Sequence, residues 1–149
     1  MAVINRDYPS SLGMAEFTSA QKYYVSRKEK VSDGSYVENG VVMLAKGGEA
    51  RKIIDAAEVP LAGEHNLENV CAAVMVTDLL GVSDAAMAQA IKSFKALPHR
   101  LEFVGEAGGV KYYDDSISTT PESSIAAMRS FAAPKVLILG GSNKGADWQ

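Results

Sequence analysis

The chain has 149 residues, of which 47% are hydrophobic, so it is long and apolar enough to form a globular core. Its net charge of −3 excludes a strongly basic nucleic-acid surface, and no apolar run approaches the roughly 18 residues of a membrane span. Cys71 is the sole cysteine, which excludes an internal disulfide and a thiolate zinc cluster. The start of the chain lacks the apolar run of a signal peptide, and a cytoplasmic location is therefore expected.

The first half of the chain begins with a very short predicted strand at residues 2–4 and a Pro/Ser/Gly loop at residues 8–13. Asn39-Gly40 lies between two apolar runs, which predicts an antiparallel hairpin over residues 35–45 because both turn residues tolerate positive φ. A further strand is predicted near residues 52–54.

Two helices are expected next. Residues 66–80 carry apolar side chains at helical spacing, namely Leu67, Val70, Cys71, Val74 and Leu79. Gly81 is predicted to end the first helix, and Ser83 to be the N-cap of the second. Its predicted buried face consists of Met87, Ala90, Ile91 and Phe94. Ala96-Leu97-Pro98 then interrupts the helical pattern.

Beyond that break the pattern predicts strands at residues 101–104 and 110–113 around Gly108-Gly109, then a helix from Pro121 to about Phe131. The continuous apolar run at residues 136–139 predicts a parallel strand covered on both faces. The expected fold class is α/β: the end of one domain at residues 1–96, followed by the start of another at 97–149. We therefore expect a piece of a longer protein.

Candidate binding residues follow several of these elements. Asn66 and Asn69 lie three apart at the start of the first helix, so both amides can face one ligand, although the residues alone favour an ordinary N-cap role for Asn66. Arg100 can bind phosphate or ribose oxygens bidentately, or it can pair with Glu102 at the surface. His99 is interpreted as a structural histidine, since His65 is the one other imidazole available for a metal.

Carboxylates and hydroxyls also gather ahead of the helix that begins at Pro121. Asp114 and Asp115 could accept ribose hydroxyls or bind magnesium through water, whereas Asp114, Ser118 and Thr120 could simply cap the turn and helix.

Gly140-Gly141-Ser142-Asn143-Lys144 follows the predicted buried strand, where a lysine can hold a carboxylate or phosphate. The sequence contains neither G-x-x-x-x-G-K-[ST] nor G-x-G-x-x-G, so a phosphate cradle of either kind is missing.

In combination these segments resemble the Mur ligase family. The resemblance covers nearly the whole chain: Val3-Ile4-Asn5-Arg6-Asp7, Gly63-Glu64-His65-Asn66 with Asn69, Phe94-Lys95-Ala96-Leu97-Pro98-His99-Arg100-Leu101-Glu102, Asp115-Ser116 and Gly140 to Asp147 follow in the family order. Leu97-Pro98-His99-Arg100 is similar to the branch that adds D-glutamate to UDP-N-acetylmuramoyl-L-alanine.

The resemblance implies the end of a central ATP-binding domain, with helices and a small antiparallel hairpin region, followed by the start of a Rossmann-like C-terminal domain. It implies that Asn66 and Asn69 lie near the adenine, that Arg100 and Asp115 hold the nucleotide, and that Thr119 contacts the muramoyl substrate. Lys144 would contact the D-glutamate carboxylate. No catalytic residue and no metal ligand are assigned within this chain.

The family uses ATP and Mg²⁺ to phosphorylate the substrate carboxylate before the amino acid attacks, in cytoplasmic peptidoglycan precursor synthesis. Its phosphate loop, magnesium ligands and modified lysine all precede the segment matched here, so we expect the isolated chain to lack ligase activity. Two departures are Ile117, where the family often has lysine, and Thr120, where it often has asparagine.

Two rival interpretations remain. One is another Mur ligase or a folylpolyglutamate synthase-like ligase. The other is a non-catalytic binding or assembly module. The resemblance implies a monomeric full-length protein with no nucleic-acid or membrane partner.

Overall fold

The computed structural model describes residues 1–141 and has a mixed α/β fold, as the sequence predicts. The strands are β1 (Ala2–Asn5), β2 (Lys22–Ser26), β3 (Gly34–Glu38), β4 (Val41–Lys46), β5 (Glu49–Asp55), β6 (Glu102–Ala107) and β7 (Val110–Asp114). The α-helices are α1 (Pro9–Met14), α2 (His65–Leu79), α3 (Asp84–Ser93) and α4 (Pro121–Arg129). Short 3₁₀ turns follow α1 and β5, at Ala15–Phe17 and Ala56–Glu58.

The chain divides into two compact units. The first comprises Met1–Pro60 and His65–Phe94, and it contains β1 to β5 and α1 to α3. The second comprises Leu61–Glu64 and Lys95–Gln149, and its described part contains β6, β7 and α4.

The sheet of the first unit has the strand order β1-β2-β3-β4-β5. β1, β2 and β3 run parallel, whereas β4 and β5 continue the sheet antiparallel. The predicted hairpin is confirmed, since Val37 pairs with Val42 across a turn in which Asn39 has φ of 50° and Gly40 has φ of 74°. The carboxyl ends of β1, β2 and β3 matter for function, because ligands of α/β sheets bind at the carboxyl ends of parallel strands.

Two parts of this sheet region differ from the sequence prediction. Residues 8–13, predicted as a loop, lie mostly in α1, because Pro9 occupies the first helical position, where its missing N–H costs nothing. β2 was not predicted at all, although it pairs with both β1 and β3 and fills the centre of the parallel part.

The core of the first unit lies between the sheet and α2. Buried side chains of three strands and two helices form one cluster: Tyr23, Val25, Val42, Leu44, Ile53, Ile54, Val70, Cys71, Val74, Met75 and Met87. The predicted face of α2 is confirmed, with Leu67 and Leu79 partly buried at its margins. Burial raises the pKa of the Cys71 thiol to about 11, so this cysteine is a packing residue at neutral pH.

The helix ends follow the predicted signals. Gly81 has φ of 81°, and the amide of Val82 donates to the carbonyl of Thr77, which closes the end of α2. Ser83 caps α3 by accepting from the amide of Ala86 at 3.4 Å. The predicted buried face of α3 was partly wrong: Met87 is buried, but Ala90 and Phe94 are exposed because α3 covers the sheet edge with one narrow stripe.

In the second unit, the two predicted strands are present as β6 and β7, and they pair antiparallel around Gly108-Gly109. Thr120 caps α4, and its side chain and that of Ser123 form a reciprocal capping box. The prediction of a buried strand at residues 136–139 was wrong. No strand is assigned there, and Val136 and Ile138 are 95% and 93% exposed, because an apolar run without a hydrogen-bonded neighbour in the described residues forms no sheet.

Candidate functional site

The two predicted asparagines lie together in the first turn of α2. Asn66 is the second residue of the helix, which is inconsistent with the N-cap interpretation, and it is buried, whereas Asn69 is exposed. The Asn69 Nδ2 donates to the Asn66 Oδ1 at 3.2 Å. The pair thus presents amide groups at the positive end of a helix, where polar ligands are favoured.

Next to this pair lies a buried carboxylate that sequence reasoning missed. Glu68 is 9% exposed and accepts three hydrogen bonds from other elements. The donors are the Tyr8 hydroxyl at 3.0 Å, the Arg27 Nε at 3.2 Å and the Asn5 Nδ2 at 3.3 Å. The Glu68 hydrogen bond, together with burial, raises the pKa of Tyr8. Glu68 therefore ties the first turn of α2 to the carboxyl ends of β1 and β2.

Asp7 organises the same edge of the sheet. Its carboxylate accepts from the Ser26 hydroxyl at 2.6 Å and from the backbone amide of Arg27 at 2.8 Å. The Asn5 Oδ1 in turn accepts from the amide of Asp7 at 2.9 Å. The polar residues after β1 were visible in the sequence, but nothing in their spacing indicated Arg27 or Glu68 as partners.

In the second unit, Asp115 is the centre of a hydrogen-bonded turn. Its Oδ1 accepts from the amide of Leu101 at 3.0 Å, and its Oδ2 accepts from the Ser118 hydroxyl at 2.5 Å. The Arg100 Nη1 reaches the same Ser118 Oγ at 3.5 Å, at the limit of a hydrogen bond. The structure therefore brings Arg100 and Asp115 together around Ser118, and the described contacts of Arg100 do not include the predicted pairing with Glu102.

His99 and Asp114 form an ion pair beside this turn. The His99 Nδ1 and the Asp114 Oδ2 lie 2.7 Å apart. This contact, followed by the amide of Ser116, lowers the pKa of Asp114 to about 2, and the same contact raises the pKa of His99. Asp114 also accepts from the Ser116 amide at 2.9 Å, so it stabilises the turn as one of the two sequence interpretations proposed.

The remaining predicted residues have different surroundings. Thr119 is exposed just before α4, and Thr120 serves as the cap of that helix. Ile117, which stands where the resemblance implies a lysine, is 50% exposed. Lys144 lies outside the described residues.

These two sets of groups have complementary hydrogen-bonding capacity. The Asn66 and Asn69 amides offer both donors and acceptors, as does the edge of a purine ring. Arg100 offers a planar fork of donors for oxyanions, and the Asp115 carboxylate has lone pairs that can accept hydroxyls of a sugar. Each set, taken by itself, is suited to binding a polar ligand. None of the helices in residues 1–141 is long and apolar enough to cross a membrane.

No protein-family model matches the sequence. Among solved structures, MurF from Acinetobacter baumannii superposes with a TM-score of 0.68 over 87% of this chain and 28% of its own, at 21% identity. At that identity the similarity shows the fold alone. Curated relatives add the sequence evidence, and the chain spans about a third of the length of those it matches.

The chain belongs to the Mur ligase family, as a part of such a ligase. A relative from Thermoanaerobacter sp. (strain X514) is 40% identical over 146 residues, which are 98% of this chain and 32% of the relative. That relative is named UDP-N-acetylmuramoylalanine–D-glutamate ligase. A relative from Xanthomonas campestris, 43% identical over 118 residues (78% of this chain and 24% of its own), is named UDP-N-acetylmuramoyl-L-alanine–L-glutamate ligase.

Proposed function

We propose that this chain is part of an ATP-dependent ligase that adds D-glutamate to UDP-N-acetylmuramoyl-L-alanine through an acyl phosphate, in cytoplasmic synthesis of the peptidoglycan precursor. The observation that carries the proposal is the 40% identity, across 98% of the chain, to relatives named for this reaction. Residues 1–96 would form the end of the central ATP-binding domain, and residues 97–149 would begin the C-terminal domain.

In this proposal Asn66 and Asn69 bind the adenine edge. Their mutual hydrogen bond of 3.2 Å supports it, because it fixes the orientation of both amides before any ligand arrives. Glu68 is a positioning residue: its three hydrogen bonds hold the first turn of α2 against the sheet.

Arg100 and Asp115 would hold the rest of the nucleotide, with the Asp115 carboxylate accepting the ribose hydroxyls. The fit is favourable, since Arg100 is partly exposed and uses one guanidinium nitrogen on Ser118 within the described residues. The bound ATP and Mg²⁺ would supply the phosphoryl group and its charge neutralisation. No described residue is assigned here to that Mg²⁺.

Substrate contacts are proposed for two further residues. Thr119 is exposed between the Asp115 turn and α4, which supports a role in contacting the muramoyl substrate. Lys144 would pair with a carboxylate of the incoming D-glutamate, since a lysine ammonium is a compact charge suited to that group.

A second candidate is the L-glutamate ligase reaction. The observation that favours it is the 43% identity to the Xanthomonas campestris relative, which is named for the L isomer. That match covers 78% of the chain, against 98% for the Thermoanaerobacter relative, so the D-glutamate reaction is preferred.

A segment exchange tests the proposal. The homologous third of the Thermoanaerobacter ligase is replaced by residues 1–149, and phosphate release is measured with UDP-N-acetylmuramoyl-L-alanine and either D- or L-glutamate. We expect release that requires both substrates and favours D-glutamate by at least about a hundredfold, equivalent to about 2.7 kcal/mol.

A chimera that folds, judged by circular dichroism and a cooperative thermal transition, but releases phosphate with neither isomer would contradict the proposal. Preference for L-glutamate would support the second candidate instead. The isolated 149-residue chain is expected to show no turnover and weak or undetectable ATP binding by calorimetry, and robust turnover would refute that expectation.

A further inference from the structure

The open end of the β6–β7 hairpin concentrates negative charge. Glu102 begins β6, Asp114 ends β7, and the two are direct partners in the strand register. Like charges directly opposite one another destabilise a strand pair unless a positive group lies between them. A positively charged group at this end would therefore stabilise the hairpin.

His99 is held over these carboxylates by its backbone. Its φ of 64° is in the left-handed region, which is unfavourable for a non-glycine residue. Two hydrogen bonds maintain it: the His99 amide donates to the Glu102 Oε2 at 2.7 Å, and the His99 carbonyl accepts from the Ile117 amide at 3.3 Å. This backbone conformation places the imidazole next to Asp114.

The three side chains converge on one point. One ligand atom from each of His99, Glu102 and Asp114 lies within 4.8 Å of the others. A tetrahedral ion with bonds of about 2.0–2.1 Å needs ligand atoms about 3.3 Å apart. The His99 Nδ1 and the Asp114 Oδ2, now 2.7 Å apart, would have to separate by about 0.6 Å, which exposed side chains can do by small rotations.

We propose that His99, Glu102 and Asp114 form a binding site for a borderline divalent transition-metal ion, for which Zn²⁺ is the natural probe. One imidazole nitrogen and two carboxylate oxygens are donors that Zn²⁺ accepts, and the exposed position of His99 leaves room for a water as the fourth ligand. The sequence does not indicate this site, because the ligands that accompany His99 are carboxylates and not a second imidazole.

The proposed ion differs chemically from the Mg²⁺ that accompanies ATP in the proposed reaction. Mg²⁺ prefers octahedral oxygen ligands, whereas an imidazole nitrogen favours Zn²⁺. A bound ion would join the 97–101 turn to the end of β7. Arg100 and Asp115 directly follow two of the ligands in sequence, so the ion would also stiffen the backbone that carries both.

Calorimetric titration of the metal-free 149-residue chain with Zn²⁺ tests the site. We expect one ion per chain, and at least tenfold weaker binding for His99→Gln, Glu102→Gln and Asp114→Asn. The matched controls, Glu106→Gln on the same strand and His65→Gln, should bind as the parent does. Because all variants are checked for an unchanged thermal transition, a loss of binding cannot be attributed to unfolding.

Co²⁺ provides an independent readout. A visible absorption band of a four- or five-coordinate ion should develop in the parent chain and be absent from His99→Gln. Millimolar Mg²⁺ should leave Zn²⁺ binding unchanged. Zn²⁺ binding that is absent from the parent, equal in His99→Gln, or abolished by Mg²⁺ would overturn the proposal.

Discussion

The two units of this chain are stabilised in different ways. In the first, a five-stranded sheet and α2 enclose side chains such as Leu44 and Met75, which are completely buried. In the second, Ser124 is the one buried residue among those the structure describes, and Val104 remains 67% exposed. The first unit thus has an extensive buried apolar core, whereas the described part of the second has a cluster of hydrogen bonds around Asp115 and few buried residues.

The same difference separates their functional groups. Glu68 is buried and fully occupied in joining two strands to α2, so the asparagines beside it are presented from a rigid framework. His99 and Arg100 lie on a turn whose side chains are exposed or half-exposed. We infer that the first unit presents a preformed binding surface, whereas the groups of the second are adjustable.

The largest effect is expected for Gly34→Ala in the first unit. Gly34 has φ of 153°, and a Cβ there would lie 1.6 Å from the backbone oxygen of Tyr24, so the β2–β3 pairing must open. We expect a loss of at least about 4 kcal/mol in the free energy of unfolding, measured by urea denaturation. Gly13→Ala, where nothing lies within 4 Å of the added methyl, is the matched control and should be neutral or slightly stabilising.

The second-largest effect is expected from the difference in burial between Leu44 and Val104. Leu44→Ala removes a fully buried side chain and should cost about 2–5 kcal/mol, whereas Val104→Ala in the second unit should stay within about 0.5 kcal/mol. Both are measured by the same denaturation experiment. Comparable losses for the two variants would show that the second unit has a core the exposures do not reveal.

A smaller and local effect is expected for Asp115→Asn. The variant keeps the shape of the side chain but weakens acceptance from the Leu101 amide and the Ser118 hydroxyl. Hydrogen exchange of the Leu101 amide should accelerate about tenfold, equivalent to about 1.4 kcal/mol, while amides of α2 are unchanged. Unaltered exchange at Leu101 would contradict the view that Asp115 organises this turn.

The smallest effect concerns an ion-pair network on the first unit. Burial raises the pKa of Asp78, but hydrogen bonds from Lys46 and Arg51 outweigh it and lower the pKa overall. A lowered pKa contributes stability above the unfolded value of about 4 and loses it as the pH falls through the folded value. The free energy of unfolding of Asp78→Asn should therefore be lower than that of the parent at pH 7, and the two values should converge towards pH 3. A difference between the two free energies that stays constant with pH would contradict this linkage.

Local signals predicted much of the first unit. The Asn39-Gly40 turn specified its hairpin because positive φ is a property of those residues, and the helical spacing specified the buried face of α2. β2 could not be predicted in this way. It is a short strand whose stability comes from pairing with β1 and β3, which are distant in sequence.

The site was predictable to a similar degree. Asn66 and Asn69 were predicted to lie together from their spacing on a helix, and the structure pairs them. Arg100 and Asp115 are distant in sequence and both contact Ser118, which their spacing does not indicate. Glu68 was missed because its partners lie 41 to 63 residues away in sequence. The apolar run at residues 136–139 misled the strand prediction, since composition indicates a strand but not whether a neighbour is present to pair with it.

The most direct test of the nucleotide-binding role is the KM for ATP in the ligase chimera carrying Asp115→Asn or Arg100→Gln. We predict that either change raises the KM for ATP at least about tenfold and leaves the KM for D-glutamate within about twofold, because the two side chains would contact the nucleotide and not the amino acid. An unchanged KM for ATP in both variants, with the chimera still active, would contradict the account.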